Sequence, residues 1–280
     1  YALSNQSSLK AGVNSMRQNI HLLSNSSVIT PTDTWKLSDS FLKPQQGIQY
    51  ALGYFKNMNQ GAFEFSAELY YRSMQNLLDY RSGASIVLND RIEQEVLVTQ
   101  GKAYGMELYL KKSTGKLNGT LAYTYSRSLM QTDPSEQKEQ INRSEWYPSN
   151  FDQPHNANFV GNLELSKRVN VTLAGKYSTG RPVTLPIAKF NYGGSERVYF
   201  SDRNSFRVPD YFRMDLSVNL EGNHKIAKLA HASWSFGVYN LLGRDNAYSV
   251  YFVPEAGKLR GYQLAIFAEP IPFITYNFRF

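Results

Sequence analysis

Between residues 211 and 220 the chain alternates without a break. Phe212, Met214, Leu216, Val218 and Leu220 are apolar, and Arg213, Asp215, Ser217 and Asn219 lie between them. Successive side chains of a strand point to opposite faces, so the pattern predicts a strand with one apolar face and one charged or amide-bearing face. The same rhythm predicts strands at 1–3, 9–14, 48–54, 63–72, 104–111, 117–126, 159–165, 169–177, 234–238 with a continuation at 248–252, and 274–280. A sandwich strand also alternates, but here the rhythm recurs in about eleven stretches and runs to the final residue. A wide antiparallel barrel, apolar outside and polar inside, is the architecture this repetition describes.

The connections follow a second rhythm. Short turns at 4–7, 57–62, 113–116, 166–168 and 221–229 alternate with long segments at 18–46, 80–94, 128–154 and 179–209. Up-and-down strands require this if one rim carries turns and the other carries elaborated loops. Parity then puts the C-terminus on the short-turn rim. The expected fold is an all-β, up-and-down transmembrane β-barrel, with residues 1–280 forming part of a single barrel domain.

Composition agrees with a wall that has a wet side. Aromatic residues make up 14% of the 280, with 20 Tyr and 16 Phe, yet the mean hydropathy is only −0.44. A soluble core favours Leu, Ile and Val, whereas a membrane barrel spreads Tyr and Phe along girdles. No apolar run approaches the ~18 residues that a spanning helix needs, which leaves barrels untouched. There is no cysteine, hence no disulfide framework and no thiolate site. The net charge of +7 is scattered among strands and turns, so no nucleic-acid partner is expected. The start at Tyr1-Ala2-Leu3 carries no signal-peptide pattern and reads as the middle of a strand, as in a fragment of a longer protein.

Charges facing lipid near mid-membrane would cost ~2–4 kcal/mol each, so the alternation must turn Glu64, Glu68, Arg72, Glu107, Lys111, Arg213, Asp215 and Arg279 inward. There they line a lumen or form paired charges on a solvated wall. The long loops hold Trp35, Trp146, Tyr147 and Tyr192, candidate ligand contacts because binding residues concentrate on loops held by a rigid scaffold. Packing of loop on loop is the alternative use of such rings. Enzymatic readings are poor. His21, His155, His224 and His231 lie in different loops and turns without metal-ligand spacing. Asp152 and His155 with a nearby serine could make a hydrolytic set, but a loop-to-strand cap explains Asp152-Gln153-Pro154-His155 more simply. No cofactor, metal or catalytic residue is expected.

Five stretches, in order along the chain, resemble the C-terminal barrel part of TonB-dependent outer-membrane transporters. They are Gly101-Lys102-Ala103-Tyr104-Gly105-Met106-Glu107, Asp152-Gln153-Pro154-His155, Ser178-Thr179-Gly180-Arg181-Pro182, Pro209-Asp210-Tyr211-Phe212-Arg213-Met214-Asp215, and Tyr239-Asn240-Leu241-Leu242-Gly243-Arg244-Asp245-Asn246-Ala247-Tyr248. The last is similar to the family's penultimate-strand signature, and the loops most resemble transporters of the Bacteroidetes kind. The resemblance implies a 22-stranded barrel filled by a plug, of which this chain holds about half the strands and neither plug nor TonB box. It also implies import of a scarce siderophore, cobalamin, oligosaccharide or peptide with energy from TonB, extracellular long loops and a periplasmic C-terminus. Implied partners are the lipid bilayer, the plug and remaining strands, TonB acting through the plug, a possible surface lipoprotein, and the barrel-assembly machinery. Tyr276, Phe278 and Phe280 resemble the assembly signal, with Thr275 where the usual pattern has a glycine. A passive porin-like channel is the alternative function.

Overall fold

The computed structural model describes residues 1–23, 34–81, 83–84, 89, 91–133, 139–222, 231–255, 258–266 and 268–279. One antiparallel sheet runs through eleven strands joined in chain order. These are β1 (Ala2–Ser4), β2 (Ser7–Gln18), β3 (Gln45–Met58), β4 (Phe63–Tyr80), β5 (Val96–Lys112) and β6 (Leu117–Thr132), followed by β7 (His155–Ser166), β8 (Val169–Ser178), β9 (Tyr211–Glu221), β10 (His231–Tyr239) and β11 (Ile271–Arg279). Each strand pairs with the next, as an up-and-down wall requires.

The register carries the argument about faces, because residues directly opposite one another in an antiparallel pair project to the same side. Phe212, Leu216 and Leu220 of β9 stand opposite Tyr177, Leu173 and Val169 of β8. The same face continues through Leu163 of β7 and Leu117 of β6, through Leu110, Leu108 and Met106 of β5, and through Leu69 and Leu52 to Ala11 of β2. In the other direction it passes through Phe236 and Trp234 to Ile274 and Tyr276. One apolar face thus spans the sheet, and its leucines stay open: Leu52 is 51% exposed, Leu69 53% and Ile274 67%. Side chains that apolar, turned away from the protein, need a solvent of their own kind.

The height of this band matches a bilayer. On the apolar face of β5, Lys102 and Lys112 bracket Tyr104, Met106, Leu108 and Leu110. Ten residues at about 3.3 Å, tilted by roughly 40°, rise ~25 Å, the thickness of a barrel's apolar belt. Aromatic rings mark its edges. Tyr50, Tyr71 and Tyr104 stand in one row below the long-loop rim. Near the other rim Trp234 packs on Tyr276 with ring centroids 4.6 Å apart, and Tyr276 stacks on Phe278 at 6.2 Å.

The strands of the wall are longer than their alternation suggested. β4 extends to Tyr80 and β5 begins at Val96. A bulge between Met74 and Leu77 marks where the wall gives way to the rim. The predicted continuation at 248–252 is corrected: Ala247–Glu255 pairs only with Lys258–Ala265, a separate hairpin within the last long connection. Two further hairpins, Ile20–Leu23 with Thr34–Leu37 and Pro186–Tyr192 with Ser195–Phe200, also stand on the long-loop side. The fully buried apolar residues cluster there rather than in the wall. Leu23, Leu42, Tyr80, Ile92 and Val96 form one small core, and Leu97, Ile141 and Tyr147 another.

Candidate functional site: the polar wall and the long-loop rim

The polar face of the sheet collects the charges that alternation turned away from lipid. Lys111 donates to Glu64 across β4 and β5 at 3.0 Å. Arg72 donates to Gln49 through Nε at 3.0 Å, and Arg213 pairs with Asp215 two residues along β9 at 2.7 Å. Glu68 and Glu107 stand directly opposite one another, a like-charge pair that disfavours the isolated sheet. Arg279 falls opposite His231 in register. Farther round, the face becomes neutral: Thr172 donates to Asn162 at 2.8 Å, and Asn162 to Asn118 at 3.3 Å. The wall therefore has a charged sector over β4 and β5, an amide-and-hydroxyl stretch around Asn118, Asn162 and Thr172 on β6–β8, and charge again at Arg213 and Asp215 on β9.

Above the wall, loops 133–154 and 179–210 are keyed to the top of β4. Arg203 donates to Asp79 Oδ1 and to the carbonyl of Tyr80, both at 2.8 Å. The side chain of Asn142 donates to the carbonyl of Arg203 at 3.0 Å and accepts its N–H at 2.7 Å. Asn204 donates to the carbonyl of Pro148 and to Asn150, each at 2.8 Å. Asn142 and Asn204 take φ of 47° and 56°, a left-handed turn that asparagine tolerates better than most residues. A second hub is Asp152, whose side chain is wholly buried. Its carboxylate accepts from Arg127 at 3.1 Å, from the Ser128 N–H at 2.7 Å and from Arg207. A buried carboxylate needs that many donors to offset lost hydration.

Between these loops opens a cavity of about 510 Å³, lined among others by Arg81, Ile141, Thr184, Tyr199, Phe200 and Arg203. It mixes aromatic, aliphatic and charged walls and lies above the polar face. Sequence reasoning did not single out Arg203 or Ile141, whose partners are far away along the chain.

The expected loop contacts separate. Trp35 is 61% exposed and Tyr192 73%, each on a rim hairpin. Tyr147 is corrected: at 2% exposure it is closed to a ligand. It packs with Leu97 and Ile141 and donates its phenol to Asp79 at 2.7 Å. Burial, then the Asp79 carboxylate, holds that phenol far above the usual tyrosine range. Trp146 is corrected as well. The two-residue strand Tyr147–Pro148 pairs with β6 so that Tyr147 shares the face of Met130, and Trp146, one residue earlier, lies under the Lys102 ammonium at 3.9 Å. It sits on the outer shoulder, not in the vestibule.

Asp152 and His155 form no hydrolytic set. Asp152 is held by its arginines, while His155 Nδ1 meets the Tyr123 hydroxyl at 2.8 Å on the apolar face. Of the terminal aromatics, Tyr276 and Phe278 face outward; Phe280 lies outside the described residues, as does His224. No group of three or more potential metal ligands occurs among the described residues.

No curated protein matches the sequence. Among solved structures, the chain resembles the ferric-catecholate import receptor Fiu from K12 E. coli, with a TM-score of 0.60 and 12% identity over 99% of this chain and 33% of that one. It also resembles the ferripyoverdine receptor of the outer membrane of Pseudomonas aeruginosa, with a TM-score of 0.57 and 13% identity over 100% of this chain and 31% of that one. BauA, the ferric preacinetobactin receptor from Acinetobacter baumannii, gives 0.54 and 11% over 98% and 34%. The chain spans about a third of the length of these proteins, and at such identity the likeness speaks for the fold alone. The family model for TonB dependent receptor-like β-barrels matches residues 1–241. A sheet with one lipid-compatible face, one charged face and loops on alternate connections, matched over most of its length, belongs to the TonB-dependent receptor β-barrel family of the outer membrane.

Proposed function

We propose that this chain is the C-terminal part of the barrel wall of an active outer-membrane importer. Its long loops face the exterior and its C-terminus the periplasm. Cargo binds in the loop vestibule, with Trp35, Tyr192 and the cavity beside Arg203 as contacts. A plug held against Glu64, Glu68, Arg72, Glu107, Lys111, Arg213, Asp215 and Arg279 is then displaced by TonB. The chain supplies wall, rim and assembly signal and performs no bond chemistry. The observation that carries this reading is the register, which gathers the mid-wall charges on one face and leaves the band between Lys102 and Lys112 on the other to lipid. Of the cargo classes weighed, ferric siderophores are favoured because the structural neighbours are named for ferric ligands. A passive pore is disfavoured by the family match.

The test is uptake. Cells carrying the full-length gene should take up a radiolabelled ferric siderophore from a catecholate and hydroxamate panel, and uptake should vanish without TonB. Uptake proportional to concentration and indifferent to TonB would establish a pore instead.

A further inference from the structure

The cavity of about 510 Å³ between the two keyed loops has three charged groups on its described lining, Arg81, Asp202 and Arg203. Each meets an opposite charge of the protein itself. Arg203 lies 2.8 Å from Asp79, Arg81 3.6 Å from Glu139, and Asp202 3.6 Å from Arg143. Cations and carboxylates cancel one for one, so the described part of the cavity is electroneutral.

The polar side chains Asn142, Thr184, Ser201 and Arg203 are committed to protein partners as well. Arg203 gives one terminal nitrogen to Asp79 and the other to the carbonyl of Tyr80. Asn142 exchanges two bonds with the backbone of Arg203. Thr184 accepts the Asn204 N–H at 3.0 Å and donates to Asn204 Oδ1 at 3.4 Å. Ser201 accepts the Leu185 N–H at 3.0 Å and donates to the carbonyl of Asp202 at 3.1 Å. The surface left for a ligand is mainly carbon: the half-exposed rings of Tyr199 and Phe200, with the aliphatic Ala84 and Ile141.

A multiply charged anion entering this space sheds water, gains no net opposite charge, and meets polar groups already in use. A neutral complex of the same size gives up less hydration and buries its carbon surface against the rings. Ferric complexes divide along this line. Three hydroxamates cancel the charge of Fe(III), whereas three catecholates leave a trianion.

We infer that the cavity beside Arg203 selects a ferric complex of no net charge, a trihydroxamate, over the trianion of a tris-catecholate. This names the cargo class of the importer proposed above and rests on that reading.

The experiment is binding to the purified full-length protein in detergent, read as quenching of tryptophan fluorescence. The probes are ferrichrome, a neutral trihydroxamate complex, and ferric enterobactin, a tris-catecholate trianion. The parent should hold the neutral complex at least about tenfold more tightly. The double variant E139Q/D202N leaves Arg81 and Arg143 uncompensated. It should bind the trianion roughly tenfold better, about threefold for each charge some ~8 Å away through water at ~0.1 M salt, and the neutral complex as before. E164Q/E221Q removes the same charge at the short-turn rim and should keep the parent's ratio. The two pairs broken in E139Q/D202N are exposed and weigh little in folding; heat-modifiable gel mobility reports assembly, and D202N alone replaces the double variant if that one fails. A trianion bound as tightly as the neutral complex, a ratio unmoved in E139Q/D202N or moved equally in E164Q/E221Q, or binding of neither complex would overturn the inference. TonB-dependent uptake of the trianion alone defeats this inference and leaves the importer standing. Preference for the neutral complex without TonB-dependent uptake defeats only the importer.

Discussion

The two faces of β4 can be told apart by putting the same charge on each. Leu69 lies mid-band on the apolar face, opposite Leu52 and Met106, and is 53% exposed. It makes little protein contact to lose, so in water Leu69→Arg would change stability by no more than about 0.5 kcal/mol. In a bilayer the guanidinium enters hydrocarbon near mid-depth and costs ~2–4 kcal/mol. At 1.4 kcal/mol per decade that is a loss of about 30- to 700-fold in the folding equilibrium. Glu68 is its neighbour in sequence but faces Glu107 on the polar side. Glu68→Arg converts a like-charge pair into an opposite one, a gain of a few tenths to about 1 kcal/mol. The assay is urea unfolding of the full-length protein in lipid vesicles, followed by tryptophan fluorescence and gel mobility. Leu69→Arg should unfold at markedly lower urea, and Glu68→Arg at the same concentration or slightly higher. Equal effects, or a harmless Leu69→Arg, would mean that the apolar face does not meet lipid and would remove the basis of the functional reading.

Other perturbations probe the rim. Asp152→Asn keeps the shape of the hub but leaves Arg127 and Arg207 facing a neutral amide; a penalty of ~3 kcal/mol should appear as faster protease cleavage within 133–154 and 179–210, the wall staying intact. Tyr147→Phe removes only the phenol bonded to Asp79, so cargo affinity should hold while amide exchange near Asp79 and Arg203 quickens; lost affinity with unchanged exchange would restore Tyr147 as a ligand contact. His21 is wholly buried between Ser38 and Gln45, and burial lowers its pKa below the ordinary 6.5 despite the nearby Asp39. The unfolded segment binds a proton more readily, so the hairpin's stability is complete above pH 6.5 and declines as pH falls from there toward the depressed folded value. Protection factors at Leu22 and Trp35, after correction for the intrinsic pH dependence of amide exchange, should fall on acidification, and His21→Gln should flatten that dependence.

What could be read from the sequence follows from which forces act locally. Alternation in a wall strand is imposed by two solvents a few ångströms apart, so each strand declares its faces with no knowledge of its neighbours. That is why Phe212 through Leu220, or Met106 through Leu110, are legible by themselves. The same signal misleads at 248–252, because a hairpin with one greasier side has the period of a wall strand, and only its pairing with Lys258–Ala265 distinguishes the two.

The rim obeys another logic. Arg203 reaches Asp79 across 124 positions, and Asn142 reaches Arg203 across 61; no window of the sequence contains both partners. Loop aromatics were therefore ambiguous between ligand platform and loop core. One local clue was present at Trp146-Tyr147-Pro148: where a loop briefly becomes a strand, neighbouring rings must take opposite sides. One of that pair had to go inward under the loops and the other outward. The polar wall held a further clue that needed the register to be seen. Glu68 and Glu107 each look like an ordinary lumen carboxylate, and only their direct opposition shows that this sheet carries an electrostatic cost on the side away from lipid. The apolar face shows no such opposition: Leu52, Leu69 and Met106 stand in one row, each suited to lipid, and the two faces are therefore told apart by charge as well as by hydropathy.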